Sequence, residues 1–217
     1  MTPGAVLFDC DGVIVDSEEI GFEMLLADFA AAGRAVSAAE LRRLFLGGTI
    51  PVLEARARAM GVPLPAGWAG DFYERLYARL ALGTPLVEGI EAVLDRLDAG
   101  GVPYAVGSNG TLRKMEITLG QHPALWRRLR GRLFSGQDLG LVKPDPGLYL
   151  HAAAALGVAA ADCVVVEDSP TGARAAAGAG MRCLGYAPPG GGGGAALAAE
   201  GAQVFAAMAE LPALLGL

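Results

Sequence analysis

The chain has 217 residues, 53% of them apolar and 18% charged, so it is long enough to bury a core and does not have the composition of a disordered chain. A formal net charge of −6, from 17 basic and 23 acidic residues, offers no basic field to nucleic acid or to an anionic membrane surface, and a small soluble ligand is the expected partner. Three scattered cysteines without a CxxC pair argue against a disulfide framework, and the mean hydropathy of +0.41 is raised by alanine and glycine rather than by a leucine-rich span.

Residues 1–4 lack the basic start of a secretory signal, so the expected compartment is the reducing cytoplasm. Ala5-Val6-Leu7-Phe8 then forms a short apolar run bounded by Gly4 and an acidic turn, the pattern of a buried parallel strand ending at Asp9. Asp9-Cys10-Asp11-Gly12 places two carboxylates two residues apart at that tip, followed by a glycine that permits a sharp turn. An EF-hand is excluded, because Val13 and Ile14 stand where its loop needs an oxygen ligand and a glycine.

From Ser17 the pattern becomes helical without clear strands: Ile20–Ala32, Ala38–Phe45, Ile50–Met60 and Trp68–Leu82. This predicts an inserted α-helical domain over residues 17–83, left through the turn-forming Gly83-Thr84-Pro85. Beyond it, apolar runs at Tyr104–Val106 and Cys163–Val166 end at Ser108-Asn109-Gly110 and Glu167-Asp168-Ser169. Helical patterns follow at Leu112–Leu119, Pro146–Leu156 and Pro170–Ala179, with each proline suited to a first helical turn. Strands alternating with helices predict an α/β core with a parallel sheet over residues 1–16 and 84–217. Gly190–Gly194 reads as a flexible surface loop.

In such sheets ligands bind beyond the C-terminal strand ends, which makes Asp9, Ser108 and Asp168 expected neighbours. Each also has a bland reading. Asp9 and Asp11 fit a solvated turn, Ser108 a turn hydroxyl, Lys143 a surface lysine, and Glu167-Asp168 a helix cap before Pro170. As a set on three strand ends they favour a site. Other chemistries fail on spacing: His122 and His151 have no metal-ligand partner at helical or hairpin distance, Val106 stands where GxSxG needs its first glycine, and Cys10 has no activating histidine.

Four segments in order carry a resemblance: Phe8-Asp9-Cys10-Asp11-Gly12, Ser108-Asn109-Gly110, Lys143-Pro144-Asp145, and Val166-Glu167-Asp168-Ser169 with Gly172-Ala173. Over Val6 to about Tyr186 the chain resembles the haloacid dehalogenase-like hydrolases, in the branch with a helical cap inserted after the first motif. The resemblance implies a Rossmann-like core, magnesium as cofactor, and a phosphoryl transfer in which Asp9 is the nucleophile and Asp11 the acid and base. It further implies that Asp9, the backbone carbonyl of Asp11, and Asp168 hold the metal with Glu167 behind them, and that Ser108, Asn109 and Lys143 bind the phosphoryl oxygens. The inserted helices would close over the site, with Glu18, Gly47 and Thr49 as candidates for the facing surface.

Dehalogenases of this family lack the second aspartate, which Asp11 supplies here. The sugar-phosphate mutases carry a histidine and a basic cap residue where this chain has Gly21 and Leu46-Gly47-Gly48-Thr49-Ile50, which favours hydrolysis. The expected protein is therefore a monomeric phosphatase of a small phosphorylated metabolite. Leu133–Asp138, Ser108-Asn109-Gly110 and Lys114-Met115 are similar to bacterial 6-phosphogluconate phosphatase-like members, pointing to a sugar or sugar-acid phosphate. A mutase, or a non-catalytic binder on the same scaffold, is the alternative. A phosphoacceptor signalling domain would have no use for Asp11 or the inserted helices.

Overall fold

The computed structural model describes residues 2–45, 49–190 and 193–217, so the expectations placed on Leu46, Gly47 and Gly48, and on Gly191 and Gly192, lie outside the described residues. The chain divides into two compact units, one of residues up to Asp16 with Pro85–Leu217, the other Ser17–Thr84. In chain order the α-helices are α1 (Glu18–Ala31), α2 (Ala38–Phe45), α3 (Ile50–Ala59), α4 (Trp68–Leu80), α5 (Ile90–Ala99), α6 (Leu112–Leu119), α7 (Pro123–Leu129), α8 (Gly136–Leu139), α9 (Gly147–Leu156), α10 (Pro170–Gly178), α11 (Gly194–Ala199) and α12 (Leu211–Leu215).

The discontinuous unit is built on a parallel sheet with strands β1 (Ala5–Phe8), β2 (Tyr104–Ser108), β3 (Leu133–Ser135), β4 (Cys163–Glu167), β5 (Arg182–Tyr186) and β6 (Gln203–Phe205), in the order β3-β2-β1-β4-β5-β6. Phe8 pairs with Val106 on one side and Val166 on the other, so the residues that follow all three strands leave the sheet at the same end. Within this unit the two segments that flank the helical insertion pair as a small ribbon, in which Asp16 donates its N–H to the Pro85 carbonyl at 2.9 Å and Val87 donates to the Ile14 carbonyl at 2.9 Å.

Alternation along β1 explains the two cores. Val6 and Phe8 join Tyr104, Val106, Val166 and the buried faces of α5 and α6 on one side of the sheet. Ala5 and Leu7 face the other way, towards α9 and α10, where Ala152, Ala153, Ala173, Ala175 and Ala176 are all buried. Small side chains let these helices lie close to the strands, so much of the alanine that raises the hydropathy is packing material. No described helix is long and apolar enough to cross a membrane.

The helical unit has its own core of Leu25, Phe29, Leu41, Leu53, Phe72 and Leu80, each at most 2% exposed. Within it Glu18 opens α1 at the surface, and Thr49 precedes α3 as a buried residue. A polar clasp ties α1 to α4: Asp28 accepts from the Trp68 indole N–H at 2.7 Å and from both terminal nitrogens of Arg75, at 3.0 and 2.5 Å. Trp68 is only 4% exposed, so its N–H has little access to water as a substitute acceptor. Asp28→Ala should destabilise this unit by about 1–3 kcal/mol, the cost of leaving a buried donor unpaired. The check is a urea midpoint followed by Trp68 fluorescence in a Trp126→Phe background, and an unchanged midpoint would refute the clasp.

Candidate active site

The carboxyl ends of β1, β2 and β4 bring together side chains that lie up to 159 positions apart in sequence, from Asp9 to Asp168. Asp9 continues the β1 ladder by donating its N–H to the Val166 carbonyl at 2.9 Å. The chain then turns sharply at Gly12, whose φ of +80° is open to glycine at little cost. Space is a second reason for that glycine. A Cβ at position 12 would lie 2.1 Å from Oδ2 of Asp168, so the carboxylate from β4 rests against the turn that follows β1.

Lys143 is the centre of the cluster. Its ammonium lies 2.5 Å from Asp9 Oδ1 and 2.6 Å from Glu167 Oε1, with its side chain 3% exposed, and stands 4.8 Å from the centre of the Tyr149 ring. Tyr149 donates its hydroxyl to the same Glu167 Oε1 at 2.7 Å, while Ser169 donates its N–H and hydroxyl to Oε2 at 3.1 and 2.9 Å. Glu167 is thus committed to holding Lys143 and the start of α10. A Cβ at position 172 would come within 1.7 Å of its carboxylate, so Gly172 leaves the first turn of α10 open for it.

Burial pushes the Asp9 carboxyl up from its ordinary 3.8 to about 7, against the pull of the Lys143 charge. Burial lowers the Lys143 ammonium, but Asp9 and Glu167 outweigh it and hold the group above its ordinary range. Each charge of the pair is opposed by burial and favoured by its partner.

Asn109 fixes the loop that delivers the lysine. Its side chain accepts from the Lys143 N–H at 2.8 Å and donates to the Lys143 carbonyl at 3.1 Å, and its own carbonyl accepts from Gln137 at 2.6 Å. The amide of Asn109 therefore serves the Lys143 loop. Ser108 accepts from the Gly110 N–H at 2.9 Å and lies 3.5 Å from Asp11 Oδ2. Asp11 Oδ1 in turn meets the ammonium of Lys114, from α6, at 2.7 Å.

Tyr149 and the position of Lys114 are what sequence reasoning missed. Tyr149 carries a weak signal, standing six residues after Lys143 on the next helix, but nothing in its type says which way it turns.

Oxygen atoms of Asp9, Glu167 and Asp168 lie within 4.8 Å of one another. A donor set of carboxylates suits a hard divalent cation such as magnesium, and a cation there would offset the charge that burial makes costly at Asp9. With Glu167 occupied by Lys143, Tyr149 and Ser169, Asp9 and Asp168 are the better placed pair.

The profile of haloacid dehalogenase-like hydrolases matches residues 3–180. The chain is 35% identical over 179 residues to the 6-phosphogluconate phosphatase of Escherichia coli, covering 82% of this chain and 79% of that one. It is 32% identical over 181 residues to a phosphoglycolate phosphatase of Xylella fastidiosa, covering 82% and 78%. Among solved structures it superposes on a hydrolase from Deinococcus radiodurans with bound phosphate and sodium, at a TM-score of 0.79 and 33% identity over 99% and 96% of the two chains.

Lys143→Met should destabilise the protein by about 3–5 kcal/mol at neutral pH in the absence of divalent cation, since it leaves two buried carboxylates without their counter-charge. Denaturant titration of this variant checks it, and Lys143→Met/Glu167→Gln should recover part of the loss.

Proposed function

The chain belongs to the haloacid dehalogenase-like hydrolases, and from that premise we propose that it is a magnesium-dependent phosphatase of a small phosphorylated metabolite, attacked by the carboxylate of Asp9. The observation that carries this is the buried contact of Asp9 with Lys143 at 2.5 Å, within reach of the Asp168 carboxylate. A carboxylate meets strong repulsion when it approaches a phosphate dianion, so a nucleophile of this kind needs fixed positive charge beside it.

In the first step an oxygen of Asp9 bonds to phosphorus as the bond to the leaving oxygen breaks, and Asp11 gives that oxygen its proton. In the second, water attacks the aspartyl-phosphate, Asp11 takes a proton from the water, and the electron pair of the broken P–O bond returns to Asp9. Lys143, Ser108 and the backbone of Asn109 donate hydrogen bonds to the phosphoryl oxygens throughout. Asp9, Asp168 and the backbone carbonyl of Asp11 would hold magnesium, with Glu167 behind them fixing Lys143. When bound, magnesium supplies further positive charge at the transferring group.

The relatives from E. coli and Xylella are named for 6-phosphogluconate and phosphoglycolate, which supports a sugar-acid or related hydroxy-acid phosphate as substrate.

Phosphate release should be measured from a panel of sugar phosphates, sugar-acid phosphates, phosphoglycolate and nucleotides. Wild type should be active with magnesium and silent with chelator, and Asp9→Asn should be silent with every compound while keeping its fold. Turnover that survives both changes would overturn the mechanism. Magnesium should also raise the melting temperature more at pH 8 than at pH 5. The sign follows from Asp9, which titrates at about 7: below that value a proton competes with the cation for the carboxylate, and above it the charged carboxylate favours binding. Equal shifts at the two pH values would remove Asp9 from the metal site.

A further inference from the structure

Lys114 is used by none of the steps above, yet its ammonium lies 2.7 Å from Oδ1 of Asp11, with its side chain 16% exposed. Its backbone is fixed from both ends. Thr111 caps α6 by accepting from the Lys114 N–H at 3.1 Å, and Thr118 donates to the Lys114 carbonyl at 3.1 Å. The loop before α6 is pinned in turn, because Ser135 donates to the Gly110 carbonyl at 2.7 Å and Asp138 accepts from the Leu112 N–H at 2.7 Å. Gly110 packs into the same corner. A Cβ there would lie 3.2 Å from Ser108 Oγ, 3.4 Å from Lys114 Cδ and 3.5 Å from Asp11 Oδ2, so the absence of a side chain leaves the contact between Lys114 and Asp11 undisturbed.

We propose that Lys114 is a positioning residue for the acid and base of the reaction: it holds Oδ1 of Asp11 so that Oδ2, on the side of Ser108, is the oxygen that exchanges protons with the reacting group. This rests on the phosphatase reading above. A carboxylate two residues past the nucleophile, on a turn, has rotamers that aim it elsewhere, and one fixed cation on a rigid helix selects among them. In the first step the proton on Oδ2 passes to the leaving oxygen as its bond to phosphorus breaks. In the second, Oδ2 takes a proton back from the attacking water, so the carboxyl ends the cycle as it began.

The test exploits leaving groups of different need. A p-nitrophenolate departs without a proton, whereas an alkoxide requires one, and kcat/KM reports only the steps up to departure of the leaving group. The enzymes are wild type, Lys114→Met, Lys114→Arg, Asp11→Asn and Asp9→Asn with magnesium. The esters are p-nitrophenyl phosphate and whichever of 6-phosphogluconate and 2-phosphoglycolate the wild type hydrolyses faster.

Lys114→Met should lower kcat/KM for the alkyl ester by roughly 10- to 100-fold, part of what a general acid contributes, and for p-nitrophenyl phosphate several-fold less. Lys114→Arg should restore most of the loss, and Lys114→Met/Asp11→Asn should be no worse on the alkyl ester than Asp11→Asn alone. Equal losses on both esters, or no loss, in a variant that melts like wild type would overturn the proposal. If Lys114→Met does not fold, Lys114→Gln is read by the same ratio and decides in the same way. Failure of the phosphatase reading looks different: Asp9→Asn would remain active, or Asp11→Asn would itself not discriminate between the esters.

Discussion

A lysine ammonium in a site 3% exposed to solvent loses most of its hydration, and that loss is recovered only if anions are held against it with good geometry. Lys143 has two, Asp9 and Glu167, and the rest of the site can be understood as what is needed to keep them there. Glu167 sits at the end of a central strand, takes bonds from Tyr149 and Ser169, and needs Gly172 to have no side chain. Asp9 sits at the end of the neighbouring strand. The backbone of Lys143 is gripped by the side chain of Asn109, which follows a third strand. The sheet register sets the strand ends side by side, and the charges tie them together.

Three carboxylates with one ammonium among them leave an excess of negative charge in a buried place. Burial raises the Asp9 carboxyl, Lys143 pulls it back and Glu167 and Asp11 add to the rise, and the excess of carboxylates gives a cation a reason to bind. The same imbalance would be a defect in a purely structural ion-pair cluster, where a core of apolar residues would serve stability better. Its position at the carboxyl end of the sheet, where ligands bind in such folds, argues for use.

Much of this was legible in the sequence, for identifiable reasons. Central strands such as β1 and β4 are buried on both faces, so they read as unbroken apolar runs, and the polar residue that ends each run marks the strand tip. The α6 helix was legible at both ends, because Thr111 caps it and Gly120 follows it. The edge strands β3 and β6, three residues each, were not legible, since Leu133-Phe134-Ser135 and Gln203-Val204-Phe205 are too short for periodicity to speak. Nor was Tyr149: the pattern gives its helix, but whether a tyrosine on that helix turns to solvent or to Glu167 depends on packing across the sheet.

Asp9 and Asp11 show what sequence spacing alone leaves undecided. They are the same residue type, two positions apart on one turn, and the sequence offers no way to tell them apart except by family resemblance. The fold distinguishes them by their partners. Asp9 faces a lysine delivered from the loop before α9 and shared with a third carboxylate, in the most buried part of the site. Asp11 faces a different lysine, delivered by α6, beside the hydroxyl of Ser108. Two identical groups given separate counter-ions on separate elements can take up separate chemistry, one bonding to phosphorus and the other moving protons. The proposed division of labour therefore depends on the crossings that bring α6 to Asp11 and the loop before α9 to Asp9.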